Sequence, residues 1–139
     1  MSRSDPSRAW QLLVKFFFAQ RERLPSAGEA FELSPVQCHV LHLLEPERPL
    51  PMGRLAETLG CDASNVTGLV DRLERRGLVQ RRPGAADRRV KEIQLTVAGS
   101  RTRAHLLEEM TGRSCRLSRL SAADRRTLVR ILETLLDEH

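Results

Sequence analysis

A chain of 139 residues, of which 40% are hydrophobic, has the size of a single domain and enough apolar side chains to form a core, so wholesale disorder is excluded. Its longest apolar run, Phe16–Ala19, is far shorter than the ~18 residues of a membrane span. The first residues lack the order of a secretory signal, and three cysteines without a CxxC pair argue against a disulfide scaffold or a four-cysteine zinc site. We therefore expect a soluble cytoplasmic protein.

The positive charge is concentrated in the middle of the chain. Arginine accounts for 21 of the 23 basic residues. Between Arg48 and Arg103 there are 12 basic and 6 acidic residues, whereas the rest of the chain has 11 basic and 12 acidic ones. Genome composition can explain a preference for Arg over Lys, but it does not explain this segregation. A localised arginine-rich surface favours a polyanionic partner such as nucleic acid.

The apolar pattern predicts two helices before residue 46. Ala9–Leu24 contains no Gly or Pro and is apolar on more than one face, which indicates a helix that is buried on two sides. Pro25–Glu29 is typical of a linker. Ser34 and Pro35 then suit the N-cap and first position of a second helix, which carries Val36, Val40, Leu41 and Leu44.

A helix-turn-helix is predicted next. Met52–Leu59 is a short helix closed by Gly60. Asp62 can cap the following helix, which ends at Gly77 and carries Val66, Leu69, Val70 and Leu73 at helical spacing. Two helices joined by a few residues including Gly are typical of the helix-turn-helix motif.

The period then changes to that of strands. Leu78–Arg82 and Val90–Leu95 have β character, and they flank the polar turn Pro83–Arg89 with its basic tip. A hairpin directly after a helix-turn-helix makes a winged helix. Two further helices follow: Thr96 can cap one that runs past Gly99 and carries Ala104, Leu107 and Met110, and a weakened capping box of Ser121 and Asp124 opens one with Leu128, Ile131, Leu132 and Leu135.

The predicted fold is therefore mainly α, a winged helix-turn-helix with about six helices and a two-stranded wing. Residues 1–32 are expected to form an N-terminal dimerisation helix and linker, residues 33–98 the DNA-binding domain, and residues 99–139 the C-terminal dimerisation helices. Because the middle domain looks self-sufficient, the apolar faces at the two ends are expected to pack on each other and on a second chain.

The outward face of the second helix of the motif suits the major groove, because short polar side chains near a helix N-terminus let the backbone approach base edges. Gly68 supports this interpretation, since Gly inside a helix costs ~1 kcal/mol relative to Ala and needs a reason such as close approach. Alternatively, Ser64 and Asn65 only cap the helix and Thr67 is solvated. The residues of this face are Ser64, Asn65, Thr67, Gly68, Asp71, Arg72 and Arg75.

Several arginines are candidates for contacts outside the major groove. Arg88 and Arg89 are predicted at the wing tip, where an arginine can enter a narrow A·T-rich minor groove. Arg54, Arg72 and Arg75 are interpreted as phosphate clamps. A solvated charged turn at the wing and an internal salt bridge of Arg72 are the competing interpretations.

The chain resembles the MarR (multiple-antibiotic-resistance regulator) family of bacterial transcription factors over roughly residues 30–138. Five pieces in order carry the resemblance: Leu33–Gln37, Leu55–Gly60, Val66–Val79, Asp87–Arg89, and Leu95-Thr96 with Gly99. The resemblance implies an obligate homodimer that binds pseudo-palindromic operator DNA and usually represses a promoter until a ligand or oxidant releases it. It also implies that Asp87 orients Arg89 in the minor groove.

Two sensing mechanisms of the family fit these residues poorly. Peroxide sensors use a first-helix Cys held by tyrosines, but this chain has no Tyr and its first helix has no Cys. Cys38 and Cys115 are interpreted as small core residues, whereas Cys61, just before the recognition helix, is left as a redox candidate. Zinc sensors use a histidine at the position of His39, but the fifth helix contributes only His105, so no metal site is predicted.

The family's commonest effector is a small aromatic acid or another apolar anion. Trp10, Phe17, His39 and His42 are candidates to line its pocket beside an arginine, although each can equally pack the dimer core. The leading hypothesis is therefore a dimeric, ligand-responsive repressor of operator DNA that needs no cofactor. A winged-helix module that binds protein instead of DNA, or a redox- or metal-responsive regulator, are the alternatives. No enzyme is expected, because the sequence shows no nucleophile–base pair, paired carboxylates or phosphate-binding glycine loop.

Overall fold

The computed structural model describes residues 5–21, 28–112 and 115–137, and within them the chain forms six α-helices and one small antiparallel sheet. This is the mainly α winged helix-turn-helix that the sequence predicts. In chain order the elements are α1 (Pro6–Arg21), α2 (Pro35–Leu43), β1 (Leu50–Pro51), α3 (Met52–Leu59), α4 (Ala63–Arg75), β2 (Val79–Pro83), β3 (Lys91–Leu95), α5 (Val97–Thr111), a 3₁₀ helix (Arg116–Arg119) and α6 (Ala122–Leu136). None of the helices described is long and apolar enough to cross a membrane.

Side-chain caps start four of these helices where the sequence predicts them. The Ser34 hydroxyl accepts a hydrogen bond from the Gln37 amide, and the Gln37 side chain accepts one from the Ser34 amide, so α2 opens with a complete capping box. Asp62, Thr96 and Ser121 cap α4, α5 and α6 in the same way, each through the amide three residues later. The caps satisfy amides that would otherwise lack partners at the helix N-termini.

The sheet has one more strand than predicted. β2 and β3 form the expected hairpin, with Val79 opposite Leu95 and Pro83 opposite Lys91. β1 adds to the free edge of β3, where Leu50 lies opposite Ile93, so the strand order is β1-β3-β2. The sequence predicts the two strands of the hairpin but not β1. A strand of two residues is too short to show an alternating pattern.

The core lies inside the winged-helix domain. Its fully buried side chains come from α2 and its C-cap, α3, α4, the two wing strands and α5; they are Cys38, Val40, Leu41, Leu44, Leu55, Val66, Val70, Leu73, Val79, Ile93 and Leu106. The α5 helix contributes to this core through only part of its apolar residues. Leu106 is buried and Met110 packs against the core, whereas Ala104 and Leu107 are exposed.

Helices α1 and α6 contribute little to that core. The sequence predicts a first helix over Ala9–Leu24 that is buried on two sides. The structure places this helix at Pro6–Arg21, and residues 22–27 lie outside the described part. None of the described side chains on the helix is buried within one chain. Trp10 is 68% exposed. The rest of the described chain therefore leaves this helix largely uncovered. The other exposed large apolar residues of α1 and α6 are Leu12, Leu13, Phe16, Phe17, Phe18, Val129, Ile131, Leu132, Leu135 and Leu136.

Candidate nucleic-acid interface

The first turns of α4 present short polar side chains on an exposed face. Asp62 accepts hydrogen bonds from the Asn65 amide at 2.9 Å and from the Ser64 hydroxyl at 2.8 Å, and these bonds hold the pKa of its carboxyl below the ordinary value. The Thr67 hydroxyl donates to the carbonyl of Ala63 at 2.8 Å. The cap is thus Asp62 itself, and the Asn65 side chain makes no hydrogen bond to any other described residue, so its amide is available to a ligand.

Gly68 lies in the middle of this helix, where a side chain would meet no steric overlap. A Cβ at this position would have Arg72 Nη2 as its nearest neighbour, at 3.7 Å, which is ordinary van der Waals contact. The packing of the described residues therefore gives no reason for a glycine here. This agrees with the sequence-based expectation that the backbone must stay accessible to something outside the chain.

Three arginines flank this face without internal partners. Arg54, Arg72 and Arg75 are exposed, and none of them forms an ion pair with another described residue. The predicted alternative, a salt bridge of Arg72 to an acidic neighbour, is therefore not found in the described part of the chain. Guanidinium groups in this state have all their donors available for phosphate oxygens.

The wing ends in a compact turn, in which the carboxylate of Asp87 holds the side chain of Arg89. The Gly84 amide donates to the carbonyl of Val90 at 2.7 Å, and a Cβ at Gly84 would lie 2.6 Å from the Asp87 carbonyl oxygen, so the turn has room only for glycine. Asp87 accepts hydrogen bonds from the backbone amide of Arg89 at 3.0 Å and from Nε at 3.3 Å. These two bonds lower the pKa of the Asp87 carboxyl, the backbone bond most. The pairing of Asp87 with Arg89 that the resemblance implies is present, while the neighbouring Arg88 is exposed and has no partner among the described residues.

Two further arginines were missed by sequence reasoning. Arg81 on β2 forms ion pairs with Asp71 at 2.6 Å and with Glu74 at 2.9 Å, both on α4. Arg76, at the end of α4, donates to the carbonyls of Phe31 and Glu32, each at 2.6 Å. These two arginines join α4 to the wing and to the segment before α2, so they stabilise the position of the helix.

The four residues predicted to line an effector pocket do not meet within one chain. Trp10 and Phe17 line an apolar groove of about 850 Å³ between α1 and the segment that contains the 3₁₀ helix and α6, but His39 and His42 do not line it. His39 is exposed, whereas His42 lies at the contact of α2 with α5, where its carbonyl accepts a weak hydrogen bond from Arg103 at 3.5 Å. Burial lowers the pKa of His42, and the charges of Arg103 and His39 lower it further.

The candidate redox and metal residues have separate environments. Cys38 and Cys115 are buried, as expected for small core residues, and burial raises the pKa of the Cys38 thiol. Cys61 is half-buried, and its thiol donates to the carbonyl of Leu59 at 3.5 Å. Within the described ranges, no three His, Cys, Asp or Glu side chains are grouped as a metal site would need.

Comparison with known proteins identifies the family. The model of the MarR family matches residues 33–91. The chain is 36% identical over 93 residues to the uncharacterized HTH-type transcriptional regulator YfiV of Bacillus subtilis, an alignment that spans 67% of this chain and 58% of YfiV. It is 30% identical over 111 residues to the HTH-type transcriptional repressor NicR of Pseudomonas putida, across 76% of this chain and 68% of NicR. The chain thus covers less than two thirds of the length of YfiV.

Solved structures show the same fold. A mutant of MepR from a multidrug-resistant S. aureus clinical isolate superposes with a TM-score of 0.74 at 22% identity, over 97% of each chain. The complex of S. aureus MepR with DNA superposes with a TM-score of 0.61 at 22% identity, over 90% of this chain and 98% of that one. The sequence matches indicate the same family as the capped helix-turn-helix and the wing. The chain belongs to the MarR family of winged-helix transcriptional regulators.

Proposed function

We propose that this chain acts in the cytoplasm as a homodimeric repressor that binds pseudo-palindromic operator DNA and is released by a small molecule, without enzymatic activity. One observation carries the proposal. Arg54, Arg72 and Arg75 are exposed without ion pairs to other described residues, and the recognition helix carries a glycine whose missing Cβ nothing in the described chain explains. The similarity to a repressor and to a protein solved with DNA supports the same interpretation.

The residues divide into three kinds of DNA contact. Ser64, Asn65 and Thr67 stand near the N-terminus of α4, with Gly68 beside them, where a recognition helix reads base edges in the major groove. Arg54, Arg72 and Arg75 surround that face and would bind phosphates. Arg89, held by Asp87 and flanked by Arg88, would enter the minor groove, where its charge gains from the negative potential of narrow A·T-rich sequence.

The homodimer is supported by the apolar surface that one chain leaves exposed. Helices α1 and α6 expose eleven large apolar side chains and line a groove between them. Contiguous apolar surface of this extent is unusual for a monomer and marks an interaction site. We assign the second copy as its partner, because both predicted dimerisation segments lie at this groove.

The effector proposal is supported by the surroundings of the candidate residues. Trp10 and Phe17 offer an apolar wall, and the contact of α2 with α5 holds two buried nitrogens, His42 Nε2 and Arg103 Nε, that have no hydrogen-bond partner in the described structure. An anion that accepts from Arg103 Nε, and from His42 Nε2 in the tautomer that carries its proton there, would satisfy both atoms. We therefore propose a small aromatic or anionic effector. Because the groove and the α2–α5 contact do not meet within one chain, a site that uses both, with His39 near His42 on α2, requires the dimer.

A salt titration on DNA tests the proposal. We expect tight binding to a duplex from the region upstream of the gene, with a steep loss of affinity as salt rises, because arginine–phosphate contacts release counterions. Arg89→Ala should weaken binding to this duplex and to random DNA alike and flatten the salt slope by about one unit. Arg88→Ala is the matched control, since it removes a neighbouring arginine that lacks the Asp87 partner, and it should cost less.

Two outcomes would contradict the proposal. If the wild-type protein shows no salt-dependent binding to any duplex, the winged helix serves another partner, such as a protein. If the wild-type protein binds but Arg89→Ala binds equally well at moderate salt, the wing is a solvated turn and the minor-groove assignment is wrong.

A further inference from the structure

Arg81 occupies a position where a strand normally places an apolar residue. Side chains of a strand alternate between two faces, so Arg81 shares its face with Val79, which is buried. Its partner across the hairpin is Ile93, which is also buried. The Arg81 side chain is only 23% exposed, and it reaches out of the sheet to lie along helix α4.

The Arg81 guanidinium binds three successive turns of the recognition helix. Its Nη2 pairs with Asp71 at 2.6 Å and donates to the carbonyl of Thr67 at 3.2 Å, while Nη1 pairs with Glu74 at 2.9 Å. The backbone amide of Arg81 donates to the second oxygen of Glu74 at 2.9 Å. Residues 67, 71 and 74 lie on one face of a helix, along about 10 Å of its axis. The planar fork of an arginine can serve these acceptors together, whereas a lysine cannot.

These contacts matter for DNA because Asp71 and Glu74 stand on the helix that is proposed to approach phosphates. Their side chains are 40% and 41% exposed, so an unpaired carboxylate at either position would repel the DNA backbone. Arg81 neutralises part of that charge from beneath the helix. It therefore reduces the repulsion from beneath the helix, because one net negative charge remains on the three groups.

The same residue also sets the direction of the wing. Arg81 stands in the middle of β2, and the hairpin that continues from it ends in the turn with Asp87 and Arg89. Fixing Arg81 to α4 therefore fixes the angle between the recognition helix and the wing. A rigid angle lets one chain engage a major groove and the neighbouring minor groove together.

We propose that Arg81 is a positioning residue for DNA binding, which shields Asp71 and Glu74 and holds the recognition helix and the wing in one geometry. This inference rests on the proposed function, because it concerns how the same surface binds DNA.

The test compares Arg81→Met with a charge-restored double variant, using fluorescence anisotropy of a labelled duplex from the upstream region. Arg81, Asp71 and Glu74 together carry one net negative formal charge; Arg81→Met raises this to two, and Arg81→Met with Asp71→Asn returns it to one. We expect Arg81→Met to weaken binding about tenfold, within the range for residues that share one network. The double variant should recover the electrostatic part of this loss, and the deficit that remains measures the lost positioning.

Arg48→Met is the matched control. It removes the same charge from an exposed arginine whose only described ion pair is with Glu45, at 3.1 Å, and it should change the affinity less than Arg81→Met does. Thermal unfolding by circular dichroism shows whether each variant folds. If Arg81→Met does not fold, Arg81→Lys replaces it; Lys keeps the charge but cannot serve all the acceptors, so it should fold and still bind less tightly than the wild type.

The outcomes separate failure of this inference from failure of the proposed function. A wild-type protein that binds no duplex contradicts the proposed function. Wild-type binding with an equally tight, folded Arg81→Met or Arg81→Lys overturns the positioning role. A salt slope flattened by about one unit in Arg81→Met, with no recovery in the double variant, also overturns it, because Arg81 would then contact a phosphate directly.

Discussion

Replacing Gly68 by Ala separates the stability of the fold from its DNA binding, because the two should change in opposite directions. Gly68 lies inside α4, and an added Cβ would have Arg72 Nη2 as its nearest neighbour at 3.7 Å. With no steric cost, the helix should gain the propensity difference between Ala and Gly, about 0.8–1.0 kcal/mol. For a domain of this size that gain raises Tm by roughly 3 °C. The same methyl group projects toward the proposed major groove and should weaken operator binding by about 1–3 kcal/mol, the usual value of a lost base contact.

The assay pairs thermal unfolding with a DNA titration for Gly68→Ala and for Gly53→Ala. Gly53 is the matched control, because it is also helical, a Cβ there meets nothing within 4 Å, and it lies outside the recognition helix. Gly53→Ala should leave the affinity for DNA nearly unchanged. If Gly68→Ala is more stable and binds the operator as well as the wild type, no close approach occurs at this residue and the proposed reading face is wrong. If Gly68→Ala is less stable, the absence of a steric cost at this position is wrong.

Two further predictions concern the dimer and the α2–α5 contact. Leu132→Asp places a charge in the groove between α1 and α6, where a buried unpaired charge is costly. We expect sedimentation to show a monomer and operator binding to be lost together with the dimer. A variant that stays a dimer and still binds the operator would contradict the assigned interface. The pKa of His42 is lower in the folded chain than in the unfolded chain, where it is about 6.5. As the pH falls below that value, the His42 side chain therefore becomes protonated in the unfolded chain first. The stability contributed by neutral His42 is lost between about pH 6.5 and the pKa of His42 in the folded chain. We expect Tm to fall between about pH 7.5 and about pH 5.5 in the wild type and to fall less in His42→Gln. His39→Gln, on the same helix, should lie between the two and nearer the wild type, because the charge of His39 is the smallest of the three causes that lower the pKa of His42. Equal slopes in all three would refute the burial argument.

The parts of the fold that depend on nearby residues were predicted well from the sequence. Caps act over three residues, so Ser34, Asp62, Thr96 and Ser121 indicate the starts of their helices locally. The wing hairpin follows from two β-type segments around a turn that contains Pro and Gly. The Asp87–Arg89 pair is also local, since its atoms are two residues apart.

The features that the sequence did not reveal all depend on distant residues. The two-residue strand β1 exists only because Leu50 lies beside Ile93, more than forty positions away. Whether α1 is exposed in a single chain depends on how the other helices pack, and the residues of α1 alone do not indicate this. Arg81 did leave a signal: an arginine on the buried face of a strand, next to Val79, requires carboxylate partners from another element. The alternation of strand residues between two faces therefore predicts a partner for Arg81, provided that charged residues are assigned to faces as well as apolar ones.

Two glycines show how far intrachain packing can explain a residue and where an external partner is needed. Gly99 stands in the first turn of α5, and a Cβ there would overlap the carbonyl oxygen of Leu78, so the close packing of α5 on the segment between α4 and β2 explains it fully. Gly68 costs its helix ~1 kcal/mol, and no neighbour in the described chain requires it. A residue that breaks a local rule without compensation inside the fold points to a functional contact. Gly68 is for this reason a stronger indication of the DNA-facing surface than the exposed arginines around it, because a solvated arginine needs no partner to be explained.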